Sequence, residues 1–77
     1  MKRVAVDSEA MRALGYDAGQ QALEVEFHSD AVYCYQPVPP EAVLALLEAE
    51  SLGQHFNQVF KQAGYPYEVI VPPSSTH

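Results

Sequence analysis

Gln21-Ala22-Leu23-Glu24-Val25-Glu26-Phe27 is the stretch on which the fold turns. Leu23, Val25 and Phe27 alternate with Glu24 and Glu26, the pattern of a half-buried strand with one apolar and one wet face. His28-Ser29-Asp30-Ala31 has turn composition and leads into Val32-Tyr33-Cys34-Tyr35-Gln36, so the two runs predict a tight antiparallel hairpin. Its register depends on loop length. A two- or four-residue loop sets Phe27 opposite Val32 and Val25 opposite Cys34, which sends Val32 and Cys34 to the core and leaves Tyr33 and Tyr35 beside Glu24 and Glu26. A three-residue loop reverses this and buries both tyrosines. The first register is favoured because it keeps Val32 in the core with Phe27.

Upstream, residues 10–16 read as a strand. Leu14 and Tyr16 alternate but Met11 is out of phase, which predicts a bulge near Arg12-Ala13. Arg3-Val4-Ala5-Val6 has the composition of a further short strand, and Asp17-Ala18-Gly19-Gln20 is turn chemistry. Downstream, Pro37-Val38-Pro39-Pro40 ends the sheet, since proline cannot donate to a ladder. Pro40 and Glu41 then suit a helix start. Val43, Leu44, Leu46 and Leu47 make a wide apolar stripe on a helix at about 41–50. Ser51 with Gln54 fits a capping box that restarts the helix at about 52–62, with Phe56, Val59, Phe60 and Ala63 as its buried stripe. Gly64 is a stop signal. Tyr67–Val71 suits a short final strand, and 72–77 a frayed tail. The expected fold class is α+β: a three-stranded antiparallel meander (about 10–16, 21–27, 32–36) followed by two helices packed on one sheet face.

The 77 residues suit one domain, with no repeat or linker. Hydrophobic residues make up 48% of the chain, too many for a disordered, highly charged segment. Ten carboxylates against four Lys and Arg give a net charge of −6, so the overall field repels nucleic acid and any such binding needs a local patch. Cys34 is the sole cysteine and no signal-like apolar run is visible, which predicts a cytoplasmic protein without a membrane span.

Ser8, Leu14-Gly15-Tyr16-Asp17, Leu23–Phe27, Tyr33-Cys34-Tyr35, Val38-Pro39, Ala49-Glu50-Ser51-Leu52-Gly53, Phe56-Asn57 and Phe60-Lys61 occur in order. This set, over about residues 8–61, resembles the KTSC domain, named for its place at the C-terminus of some lysyl-tRNA synthetases and found alone in small bacterial proteins. The resemblance implies an RNA-binding role through that context. It supplies no catalytic residues.

Candidate chemistry is sparse. Tyr33 and Tyr35 can stack bases on an open sheet face, as aromatic residues do in several RNA-binding modules. Against this, tyrosine is a common strand residue, and Glu24 and Glu26 on the same predicted face repel phosphate. Ser51–Asn57 offers a helix N-terminus for an anion, with Lys61 the nearest cation in sequence; a simple cap is the plainer explanation. Cys34 with His28 or His55 lacks any fixed nucleophile–base geometry and reads as a small buried hydrophobe. His28, His55 and His77 have no metal-ligand spacing. No metal or cofactor is expected, and no small-molecule substrate is evident. The sequence points to a small non-enzymatic binding module. Its ligand-binding set is Tyr33 and Tyr35 for stacking, Arg12 and Lys61 for charge, and Asn57 at the helix break. RNA or a protein is the partner. The alternative is a protein-interaction or oligomerisation domain with no nucleic-acid ligand, pairing at the Tyr67–Val71 edge.

Overall fold

A computed structural model describes residues 3–6 and 8–73. His77 and residues 74–77 of the expected tail lie outside the described residues. Five strands, β1 (Arg3–Ala5), β2 (Met11–Asp17), β3 (Ala22–Phe27), β4 (Val32–Tyr35) and β5 (Tyr67–Val71), form one antiparallel sheet in the order β1-β2-β3-β4-β5. Two helices, α1 (Pro40–Glu48) and α2 (Leu52–His55), lie between β4 and β5 in the chain. The architecture is α+β. The expectation of a three-stranded meander is corrected to five strands, because both short end segments pair with its outer strands.

The bulge falls at Arg12: Met11 pairs with Phe27, whereas Ala13 pairs with Glu26. Beyond it Leu14 sits opposite Val25 and Tyr16 opposite Leu23, so these share a face with the helices.

The β3–β4 hairpin takes the register that burial of Val32 beside Phe27 argued against. Leu23 pairs with Tyr35, Val25 with Tyr33, and Glu24 with Cys34. Phe27 N donates to Ala31 O at 2.9 Å and Asp30 N to Phe27 O at 3.0 Å, enclosing a three-residue loop. Asp30 has φ 72°, the left-handed residue that such loops require. Arg12 holds the loop from the bulge, donating to Asp30 Oδ1 at 3.1 Å and His28 O at 3.2 Å. Tyr33 and Tyr35 therefore face the helices. Cys34, expected in the core, lies half-buried on the other face between Glu24 and Glu68. Burial pushes its thiol up from the ordinary range, with those two carboxylates adding to the effect.

The core joins Met11, Leu14, Leu23 and Val25 to Tyr35, Val38, Val43, Leu46, Phe56 and Phe60. Tyr16 reaches over the sheet end to donate its hydroxyl to Val38 O. The α1 stripe is narrower than expected, since Val43 and Leu46 are buried while Leu44 and Leu47 are half-exposed. A small sheet offers a helix only a thin strip to cover. In α2 the hydroxyl of Ser51 accepts from Gln54 N, as a cap should. The chain then widens into a π-type turn (Phe56–Phe60) and tightens into a 3-10 turn (Lys61–Ala63) that ends at Gly64, whose φ of 75° favours glycine. The widened turn keeps Phe56 and Phe60 buried and leaves Val59 and Ala63, also expected inside, exposed.

Candidate functional site

The hairpin register carries Tyr33 and Tyr35 to the helix-covered face, and β5 brings more aromatics there. Tyr35 faces Tyr67 across the β4–β5 ladder and Tyr33 faces Val69. Tyr33 and Tyr67 stack nearly parallel, centroids 5.3 Å apart at 8°. Tyr35 lies edge-on against Phe56 and Phe60, and Phe60 meets Tyr65 at 4.8 Å. Such pairs contribute about 0.5–1.5 kcal/mol each beyond area burial. Tyr35 is 5% exposed and so belongs to the core, whereas Tyr67 is 58% exposed. Burial first, then the neighbouring Tyr67 and Tyr33, pushes the Tyr35 phenol up to about 12.

These rings surround a cavity of about 390 Å³ lined by Tyr33, Tyr35, Phe60, Lys61, Tyr65 and Tyr67. That volume is at the lower end for a small-ligand site. Lys61 is placed by the π-type turn. Its N–H bonds to Phe56 O, five residues back, and the wider turn brings residues five apart onto one side of the helix. Lys61 Nζ sits 5.9 Å from the Phe56 ring centroid, an attraction of about 0.5–1 kcal/mol at an exposed site. Among the described residues Lys61 is the one Lys or Arg without a carboxylate partner. Arg3 pairs with Glu24 and Glu26, and Arg12 with Glu26 and Asp30. A second cavity, about 230 Å³, adjoins the first. It shares Tyr33, Tyr35 and Lys61 and adds Phe27, Ser29, Ala31 and Pro73.

Of the sequence-predicted set, the structure brings Tyr33, Tyr35 and Lys61 together. Arg12 is held at the bulge by Glu26, Asp30 and the loop carbonyl of His28. Asn57 lies in a separate polar groove with Ser8 and Gly53. Glu24 and Glu26, expected beside the tyrosines, occupy the opposite face and are tied to Arg3 and Arg12. Tyr65 and Tyr67 were not singled out by sequence reasoning, and Phe60 was expected only as part of the buried helix stripe. The apolar alternation at 67–71 is the signal that finds Tyr67, once that strand is set against β4.

Among the described residues no three His, Cys, Asp or Glu side chains come together as metal ligands. His28 Nε2 is 2.9 Å from Ser8 O, a contact that ties the loop to the chain before β2. No helix of the described residues is long and apolar enough to cross a membrane.

Comparison with known proteins agrees with this architecture. A family model described as the KTSC domain matches residues 7–65. The chain is 66% identical over 67 residues to an uncharacterised protein of Stutzerimonas stutzeri, covering 87% of this chain and 94% of that one. It is 38% identical over 55 residues to a lysine–tRNA ligase of Nostoc punctiforme, covering 71% of this chain and 10% of the ligase. The crystal structure of a KTSC domain protein from Yersinia pestis superposes with a TM-score of 0.84 at 30% identity, covering 91% of this chain and 97% of that one.

Proposed function

The chain belongs to the KTSC family, and from that premise we infer that it is a non-enzymatic module that binds unpaired RNA bases in its tyrosine cavity. The observation that carries this reading is the convergence of Tyr33, Tyr35, Tyr65 and Tyr67 on one cavity beside Lys61. Unpaired bases are held by stacking on aromatic rings and by cations near the phosphates. Tyr67 is the exposed ring, Tyr33 and Tyr65 are half-buried, and Tyr35 forms the floor. The sheet separates this surface from Glu24 and Glu26, which lessens the repulsion that those two carboxylates would exert on a phosphate there. The related segment in a lysine–tRNA ligase supplies a nucleic-acid context.

The test is an NMR titration of the labelled protein with a short single-stranded oligoribonucleotide at low and moderate salt. Shifts should cluster on Tyr33, Lys61, Tyr65 and Tyr67. A Tyr67→Ala variant should bind roughly tenfold to a hundredfold more weakly, given about 1–3 kcal/mol per stacked base. An unchanged spectrum at millimolar RNA rejects the reading. A second reading, a protein partner or second copy at β5, is favoured by one feature: all five residues of that edge strand are exposed. Sedimentation velocity with and without an Ile70→Lys change distinguishes it, because self-pairing gives a dimer that the lysine disperses.

A further inference from the structure

The two cavities on the tyrosine face are parts of one groove along β4. They share Tyr33, Tyr35 and Lys61, and extend in opposite directions, to Tyr65 and Tyr67 on one side and to Phe27 and Ala31 on the other. Tyr33 and Tyr35 stand two residues apart on a strand, ring centroids 6.4 Å apart, so both cavities share one aromatic wall. Lys61 lines both halves, held by the π-type turn.

We propose that this groove takes two successive nucleotides, one base in each cavity, with the phosphodiester between them at Lys61 Nζ. The proposal rests on the RNA reading above and specifies how much RNA the site holds. An aromatic-walled space, a single cation and a second aromatic-walled space repeat the order base, monoanion, base. One cation matches the one negative charge of the linking phosphate, and the remaining charge of the molecule disfavours longer electrostatic tracking. The halves differ in chemistry. The first adds Tyr65 and Tyr67, whose hydroxyls can donate or accept at a base edge, and the second adds Phe27, Ala31 and Pro73, with Ser29 as the polar group it does not share. The second base is therefore gripped by packing more than by hydrogen bonding.

The experiment titrates the full chain with uridine, the dinucleotide UpU and the octamer U8, reading affinity and NMR shifts. UpU should bind at least tenfold more tightly than uridine and shift residues at both ends of the groove, Tyr65 and Tyr67 as well as Phe27 and Ala31. U8 should gain over UpU by no more than the severalfold expected from its number of registers. Lys61→Gln should weaken UpU roughly two- to fivefold, the scale of an exposed charge contact, and weaken uridine, which carries no phosphate, by less. Lys61→Arg should restore the difference. Equal affinity for uridine and UpU, with shifts confined to Tyr65 and Tyr67, would overturn the two-nucleotide site and leave the RNA reading standing. No response to U8 at millimolar concentration overturns both.

Discussion

Tyr35 has the most consequential surroundings of any single residue. Its phenol is buried against Phe56 and Phe60, and its ionisation is pushed up to about 12 from an ordinary 10.0. A proton held more tightly in the folded chain stabilises the fold fully below pH 10, and that contribution fades as pH rises towards 12. Between those values the unfolded phenol is ionised and the native one is not, so stability falls with pH. Urea unfolding of the wild type should therefore weaken over pH 10–12, and Tyr35→Phe should lose less over the same interval. A flat difference between the two proteins would contradict this burial. Arg12 is the opposite case. Its guanidinium is raised in pKa chiefly by its hydrogen bond to Asp30, and it serves the loop, not the cavity. Arg12→Ala should lower the urea midpoint only slightly, as the loss of exposed pairs does. RNA affinity should stay within about twofold, and a larger loss would return Arg12 to the ligand.

At the scale of elements, the three-residue loop decides what the sheet displays. Closing Phe27 on Ala31 puts Val25 opposite Tyr33 and so turns the tyrosines to the helices. Asp30→Val places a β-branched residue at the left-handed position of the loop and should weaken urea unfolding by about 1–2 kcal/mol, whereas Asp30→Asn, which tolerates that backbone, should lose less. A valine variant as stable as the wild type would show that the left-handed residue does not hold the register. This is also where sequence reading stopped. The Leu23/Val25/Phe27 alternation and the misfit of Met11 are local patterns, and the strand and its bulge follow from them. Loop length between Phe27 and Val32 hinges on whether one residue, Asp30, adopts a left-handed backbone, and aspartate permits that without requiring it. The burial of Val32 gave no guidance, since Val32 is buried on the face away from the helices. Helix positions were legible from Pro40, Ser51 and Gly64. The π-type turn that aims Lys61 has no marker in the local residues.

Taken whole, the molecule separates its charges by face. Arg3, Arg12, Glu24 and Glu26 neutralise one another on the uncovered side of the sheet, while the aromatic side keeps Lys61. Binding through stacking with one phosphate contact should respond weakly to salt. With a slope of about −0.7, a fourfold rise in salt should lower U8 affinity less than about threefold. A change of tenfold or more, measured by fluorescence titration, would mean several cations at work and a different surface. The site was half legible at this scale. Tyr33 and Tyr35 stood out as neighbours on a strand, but Tyr67 reaches them only by pairing across the two intervening helices, and no short-range spacing announces such pairing.

That arrival of β5 from beyond the helices has a consequence in time. A ribosome releases Tyr33 and Tyr35 about thirty residues before Tyr65 and Tyr67, so the emerging chain displays a greasy, unfinished wall with no chamber behind it. Gln36 N waits for Pro66 O, and Tyr35 for Tyr67, until the last strand clears the exit tunnel. A product of translation interrupted before Tyr65 therefore lacks the two rings that close the cavity.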